Sequence, residues 1–238
     1  KRKKRYINNR IKEIFNRQWS KSKTMNKKPV IGVIDTKTSN IKSVYYALSL
    51  FNKNINFISS KKDFKKIDAM VVPGIGNFKY VMEKLKESSL DKYILENLSN
   101  NIPSLFICVG MQILFSKSFE FGEHKGLEVF KGKVKKIISS EKKNSQKRNI
   151  PMIGWNKLIK KNNSKIFTNL SFDEFFYFTH SFYADPEDKK IVSTTTNYSG
   201  FEYCSSISNK NIFATQFHPE KSGESGIKIY KNFLNLIK

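Results

Sequence analysis

Cysteine is scarce: the 238 residues contain only Cys108 and Cys204, too few for a disulfide framework, so a reducing, cytoplasmic setting is expected. Histidine is scarce too. His124, His180 and His218 are far apart and no Cys-x-x-Cys or His-x-x-x-His pair occurs, so neither a metal centre nor a cofactor is expected. Long apolar runs are missing. None approaches the ~18 residues of a membrane span, and no secretory apolar region opens the chain. Acidic residues are few, 20 Asp+Glu against 44 Lys+Arg, which leaves a formal charge of +24.

A charge of that size raises the question of polyanion binding. It is unevenly divided. Residues 1–28 carry 12 Lys+Arg and one acid, Glu13, while the other 210 carry 32 basic and 19 acidic groups, or +13. In that larger part the lysines are scattered among many Asn, Ile and Phe. The pattern reads as a compositional bias and not as a binding stripe, so nucleic acid is not the expected partner. Two regions follow: a basic N-terminal extension over 1–28, and a single domain over 29–238, long enough to bury a full core. Within the extension Ile7, Ile11, Ile14 and Phe15 recur at helical spacing. Met25-Asn-Lys-Lys-Pro-Val-Ile-Gly-Val-Ile resembles a natural start running into a first strand.

What is present alternates strand and helix. Val30–Asp35 is an apolar run without polar alternation, the mark of a strand covered on both faces. Asn40 is expected to cap a helix reaching about Leu50, with Ile41, Val44, Tyr45 and Leu48 inward. Strands at Ile55–Ile58 and Ala69–Val72, helices near Lys79–Lys86 and Leu90–Leu98, and a strand at Leu105–Ile107 follow. Beyond about Val129 the chain turns strand-rich, at Met152–Leu158, Phe175–Ala184, Ile191–Tyr198, Glu202–Ile207 and Asn211–Phe217. A polar loop is expected over Ser139–Asn149, and Ile227–Ile237 closes the chain as a helix. These patterns predict an α/β three-layer sandwich with a mixed, mostly parallel central sheet. Sites in such sheets form beyond the carboxyl ends of the strands, so the loops after Val72, Ile107 and Phe217 should share an edge.

Three stretches carry chemistry. In Ser104–Leu114 a short apolar strand ends at Cys108 and turns into a segment whose Met111, Leu114 and Phe115 have helical spacing. A sharp turn there lifts the thiol out of the sheet, and a helix start beside it favours the thiolate. A buried structural cysteine is the plainer reading of that stretch alone. In Gln216-Phe-His218-Pro-Glu220, proline forces an extended approach. Residues two apart then face one way, and Glu220 can hold the His218 ring while its other nitrogen meets a thiol. In Pro73-Gly-Ile-Gly76 two glycines free backbone N–H groups to face a developing oxyanion.

The order Pro-Gly-x-Gly, Cys-x-Gly-Met-Gln, His-Pro-Glu resembles the class I (triad) glutamine amidotransferases. Within them the chain is similar to the glutaminase subunits of imidazole glycerol phosphate synthase. That closer likeness rests on Asp35 with Asn40-Ile-x-Ser43-Val44, on Gly154-Trp-Asn156, on Tyr177-Phe-x-His180-Ser181 and on His218-Pro-Glu-Lys-Ser222-Gly223. It covers roughly residues 29–237.

The resemblance implies that Cys108 attacks the glutamine carboxamide, with His218 as base and acid and Glu220 orienting it. Backbone N–H groups of Gly76 and Val109 would form the oxyanion hole. Gly74, Gln112, Glu120, His180, Ser181 and Phe182 would bind the substrate. Trp155, Asn156 and Lys221 would meet a cyclase subunit of (β/α)8-barrel type in a heterodimer, to which ammonia passes for histidine biosynthesis. Four residues depart from the family pattern. Phe106 and the pair Lys37 and Ser39 stand where glycines are usual, so a repacked elbow and altered partner contacts are expected. Phe182 replaces a tyrosine. Alternatives are a glutaminase serving a paralogous amidotransferase of surface-sugar synthesis, a simple cysteine hydrolase, and a non-catalytic basic nucleic-acid-binding protein on the same fold.

Overall fold

A computed structural model describes residues 28–36, 40–52, 54–139 and 148–237. The basic extension before Lys28, the Lys37 and Ser39 departures, and residues 140–147 of the expected polar loop lie outside the described residues.

The unbroken apolar runs become the middle of a sheet. β1 (Ile31–Ile34), β3 (Ala69–Gly74) and β4 (Ser104–Cys108) are buried along their whole lengths, as strands covered on both faces must be. With β2 (Ile55–Ile58) and β14 (Ile212–Thr215) they make five parallel neighbours in the order β2-β1-β3-β4-β14. Antiparallel strands β13 (Phe201–Asn209), β12 (Val192–Tyr198) and β9 (Ile159–Lys160) extend this sheet to eight. Helices α1 (Ile41–Ser49), α2 (Phe78–Glu87) and α3 (Leu90–Ser99) follow their strands, α4 (Val109–Gln112) is a single turn, and α5 (Gly223–Leu234) ends the described fold. α1 packs beside α5 and α2 beside α3, which gives the outer layers of a three-layer α/β sandwich. The carboxyl ends of β3, β4 and β14 lie side by side. Gly74 pairs with Cys108, and Thr215 with Ile107.

Some local expectations need correction. Asn40 precedes α1 but its side chain makes no cap bond, and Tyr45 is exposed; Ala47 fills the inward face with Val44 and Leu48. The segment after Cys108 is not a long helix. It stops at Gln112, and Phe115 already belongs to β5 (Phe115–Ser118). The reason is competition for its backbone: Leu127 N–H donates to Ile113 O at 2.7 Å and Gly126 N–H to Ser116 O at 3.0 Å. A second sheet results, which the sequence patterns before Val129 do not announce. It joins β5, β6 (His124–Lys125), β7 (Phe130–Lys136) and β11 (Phe182–Pro186). The strand-like Phe175–Ala184 run is split at Ser181. Its first half, β10 (Phe175–His180), pairs with β8 (Met152–Lys157) in a two-stranded ribbon. The closing helix starts earlier than expected, with Ile229, Tyr230 and Phe233 buried and Ile227 and Leu234 partly so.

Phe106 is fully buried without disrupting β4, and the small Ala214 stands opposite it on β14, so the repacking expected there is met by a small neighbour.

Candidate active site

The site is built around the strand end at Cys108. Its backbone takes φ 57° and ψ −114°, outside the regions L-residues favour, so the chain reverses sharply from β4 into α4. Two glycines make room for that elbow. A Cβ on Gly110 would lie 2.1 Å from the Val72 carbonyl oxygen, and one on Gly74 would lie 2.7 Å from Gly110 N. Gly74 thus serves packing beneath the elbow, whereas Gly76, at φ +102°, lines the cavity itself.

His218 follows β14. Its N–H donates to Tyr177 O at 2.9 Å. Ser222 Oγ accepts from Tyr177 N–H at 3.0 Å and donates to His218 O at 2.7 Å, so one hydroxyl staples the His-Pro-Glu-Lys turn to β10. Within that turn Nδ1 of His218 meets Glu220 Oε1 at 2.7 Å, with the two side chains 1% and 2% exposed. Nε2 has no partner among the described residues other than the Cys108 thiol, whose hydrogen bond is one of the causes that raise the pKa of the ring. Burial alone would lower the pKa of His218. The negative charge of Cys108, and then of Glu220, outweighs burial and pushes it up to about 10. Behind the carboxylate, Tyr230 is held well above the usual phenol range by burial and by Glu220.

A cavity of about 240 Å³ opens on these groups. Cys108, His218, Gly76 and Val109 line its reactive end. Val109 is the first residue of α4, where a backbone N–H has no partner inside the helix. Gln112, Glu120, His180, Ser181 and Phe182 line the remainder, together with Thr179 and Pro151, which the sequence motifs did not single out. Glu120 Oε2 accepts from Phe78 N–H at 2.6 Å at the start of α2, and burial raises its pKa. The Gln112 amide is turned inward and committed to Phe182 O and Gln216. His180 is not a second base. Burial lowers its pKa to about 4, its Nδ1–H donates to Phe182 O at 2.9 Å, and its Nε2 accepts from the Tyr203 hydroxyl at 3.1 Å.

Beside the cavity, Trp155 and Tyr177 meet edge to face at 5.8 Å on paired strands β8 and β10, and Lys221 Nζ lies over Tyr177 at 5.5 Å. Ile153, Trp155 and Phe175 are exposed on this side. Asn156 alternates to the other side, where its amide donates to Asn197 O at 3.0 Å. The structure therefore separates Asn156 from Trp155 and Lys221. Ser222 and Gln216 are the residues missed. Alternation from His218 pointed to Gln216, and the polar Ser222 ending a proline turn was the other clue.

Comparison with known proteins agrees with this architecture. The family model described as glutamine amidotransferase class-I matches residues 32–236. The imidazole glycerol phosphate synthase subunit HisH 1 of Methanococcus maripaludis is 40% identical over 212 residues, 87% of this chain and all of that one. The HisH subunit of Pyrococcus furiosus is 39% identical, over 87% of this chain and 98% of its own. Among solved structures, a putative GMP synthase subunit from Thermoplasma acidophilum has TM-score 0.66 at 20% identity, covering 89% of this chain and 95% of that one. PurLQS from Thermotoga maritima has TM-score 0.66 at 21% identity, covering 89% and 100%. The chain belongs to the class-I glutamine amidotransferases and, within them, to the HisH subunits of imidazole glycerol phosphate synthase.

Proposed function

We propose that this chain is the glutaminase subunit of an imidazole glycerol phosphate synthase, acting through Cys108, His218 and Glu220. The observation that carries this is the buried His218–Glu220 bond, whose imidazole interacts through its other side with the thiol of a strained strand-end cysteine. His218 takes the Cys108 proton, and the resulting thiolate attacks the side-chain carboxamide carbon of glutamine. The oxyanion faces the N–H groups of Gly76 and Val109. The tetrahedral intermediate collapses as His218 returns the proton to the nitrogen, which leaves as ammonia. Water, deprotonated by His218, then opens the thioester, releasing glutamate and regenerating the thiol. Glu120 and the His180–Phe182 segment hold the amino-acid end of the substrate.

Ammonia passes to a cyclase subunit of (β/α)8-barrel type, docked over Trp155 and Lys221 as a heterodimer. There it completes imidazole glycerol phosphate and an aminoimidazole carboxamide ribotide in histidine biosynthesis. A working thiol of this kind belongs in the reducing cytoplasm. The test is glutamate release from glutamine by the chain alone and mixed with the cyclase. Release that rises with the cyclase supports the reading; none under either condition sinks it.

A further inference from the structure

Gln216 does not line the substrate cavity, yet it contacts the nucleophile. It is fully buried just beyond β14, and its Nε2 donates to Cys108 Sγ at 3.6 Å. Its neighbours decide which end of the amide faces sulfur. Gln112 Nε2 donates both to Phe182 O, at 2.8 Å, and to Gln216 Oε1, at 3.1 Å. Turning Gln112 over would set its oxygen against the Phe182 carbonyl. Turning Gln216 over would set two amide nitrogens against each other and present an oxygen to the sulfur. The Phe182 carbonyl is itself fixed, because it also accepts the His180 Nδ1–H. Only one arrangement gives every buried donor in this relay an acceptor.

We propose that Gln216 is a thiolate-stabilising donor, its N–H held on Cys108 by the Gln112–Phe182 bridge; this rests on the glutaminase reading above. An N–H facing sulfur in a buried site favours the thiolate over the thiol, since hydrogen bonds to charged acceptors are the stronger ones. Gln216 touches the sulfur but lies outside the cavity, so its loss acts on kcat and on thiol titration, not on KM.

The test compares the full chain with Gln216→Met by following iodoacetamide alkylation against pH, with peptide mapping to separate Cys108 from Cys204. The inflection for Cys108 should move up by about one pH unit, with slower alkylation at pH values around the wild-type inflection, while KM for glutamine changes little. An inflection that stays in place in the folded variant overturns the proposal. A second measurement needs no variant: the side-chain amide resonance of Gln216 should shift when Cys108 is alkylated, and a resonance that does not respond also overturns it. If the wild-type thiol reacts as an ordinary cysteine and no glutamate is released, the glutaminase reading itself has failed.

Discussion

His218 sits between the Cys108 sulfur and the Glu220 carboxylate, and that position sets its proton chemistry. With its pKa raised to about 10 the ring is an imidazolium at neutral pH, the form that the proposed mechanism needs for protonating ammonia. A raised value also means that this ion pairing stabilises the fold below the ordinary histidine pKa, near 6.5, and that the benefit is lost as pH rises through about 10. Cys108→Ser removes the sulfur that raises the His218 pKa and leaves burial opposed by Glu220 alone. Ring-proton NMR should then place the His218 titration well below that of the wild type; an unchanged titration would deny the coupling. Glu220→Gln keeps the shape but removes the orienting charge, and kcat for glutamine hydrolysis should fall by roughly 10²-fold or more with KM nearly unchanged. His180 works in the opposite direction. Its pKa of about 4 means that the unfolded chain takes up this proton first, so stability declines as pH falls from about 6.5 to about 4. The shift corresponds to roughly 3 kcal/mol. In His180→Gln, denaturant midpoints should lose that part of the acid slope.

Among the elements, the elbow and the stapled turn bring Cys108 and His218 together. Gly110→Ala forces a Cβ against the Val72 carbonyl, so α4 must move off β3, and urea unfolding should report a loss of about 3 kcal/mol or more. Ser222→Ala leaves the Tyr177 N–H and the His218 carbonyl without their shared hydroxyl. The expected cost is about 1–3 kcal/mol. The strands that carry these devices were readable beforehand because β1, β3 and β4 are apolar on both faces. Proline and glycine likewise marked the ends of the strands where the site forms. β5 and β7 were not readable. In Phe130-Lys-Gly-Lys-Val-Lys-Lys136 the exposed face is lysine and Val134 is one of few inward apolar anchors, so periodicity is weak. The spacing of Met111, Leu114 and Phe115 imitated a helix because a single turn and a following strand both point those residues inward. At the site itself, the type and order of Cys108, His218 and Gly76 pointed to one cavity, which all three line. Gln216 and Ser222 act through hydrogen bonds to groups distant in sequence, which no local pattern displays.

For the molecule as a whole, the sheet places the cavity and the exposed Ile153, Trp155 and Phe175 side of the β8–β10 ribbon next to each other, so a partner seated there lies beside the source of ammonia. Trp155→Ala should weaken cyclase binding tenfold or more, measured by titration calorimetry, and leave the melting temperature of the isolated chain nearly unchanged. In the proposed mechanism Cys108 is needed to release ammonia and for nothing later. The direct measurement is turnover by the Cys108→Ala chain assembled with its cyclase, supplied in parallel with glutamine and with ammonium salt. Glutamine-dependent turnover should vanish while ammonia-dependent turnover persists; glutamine-dependent turnover that survives the substitution would contradict the account.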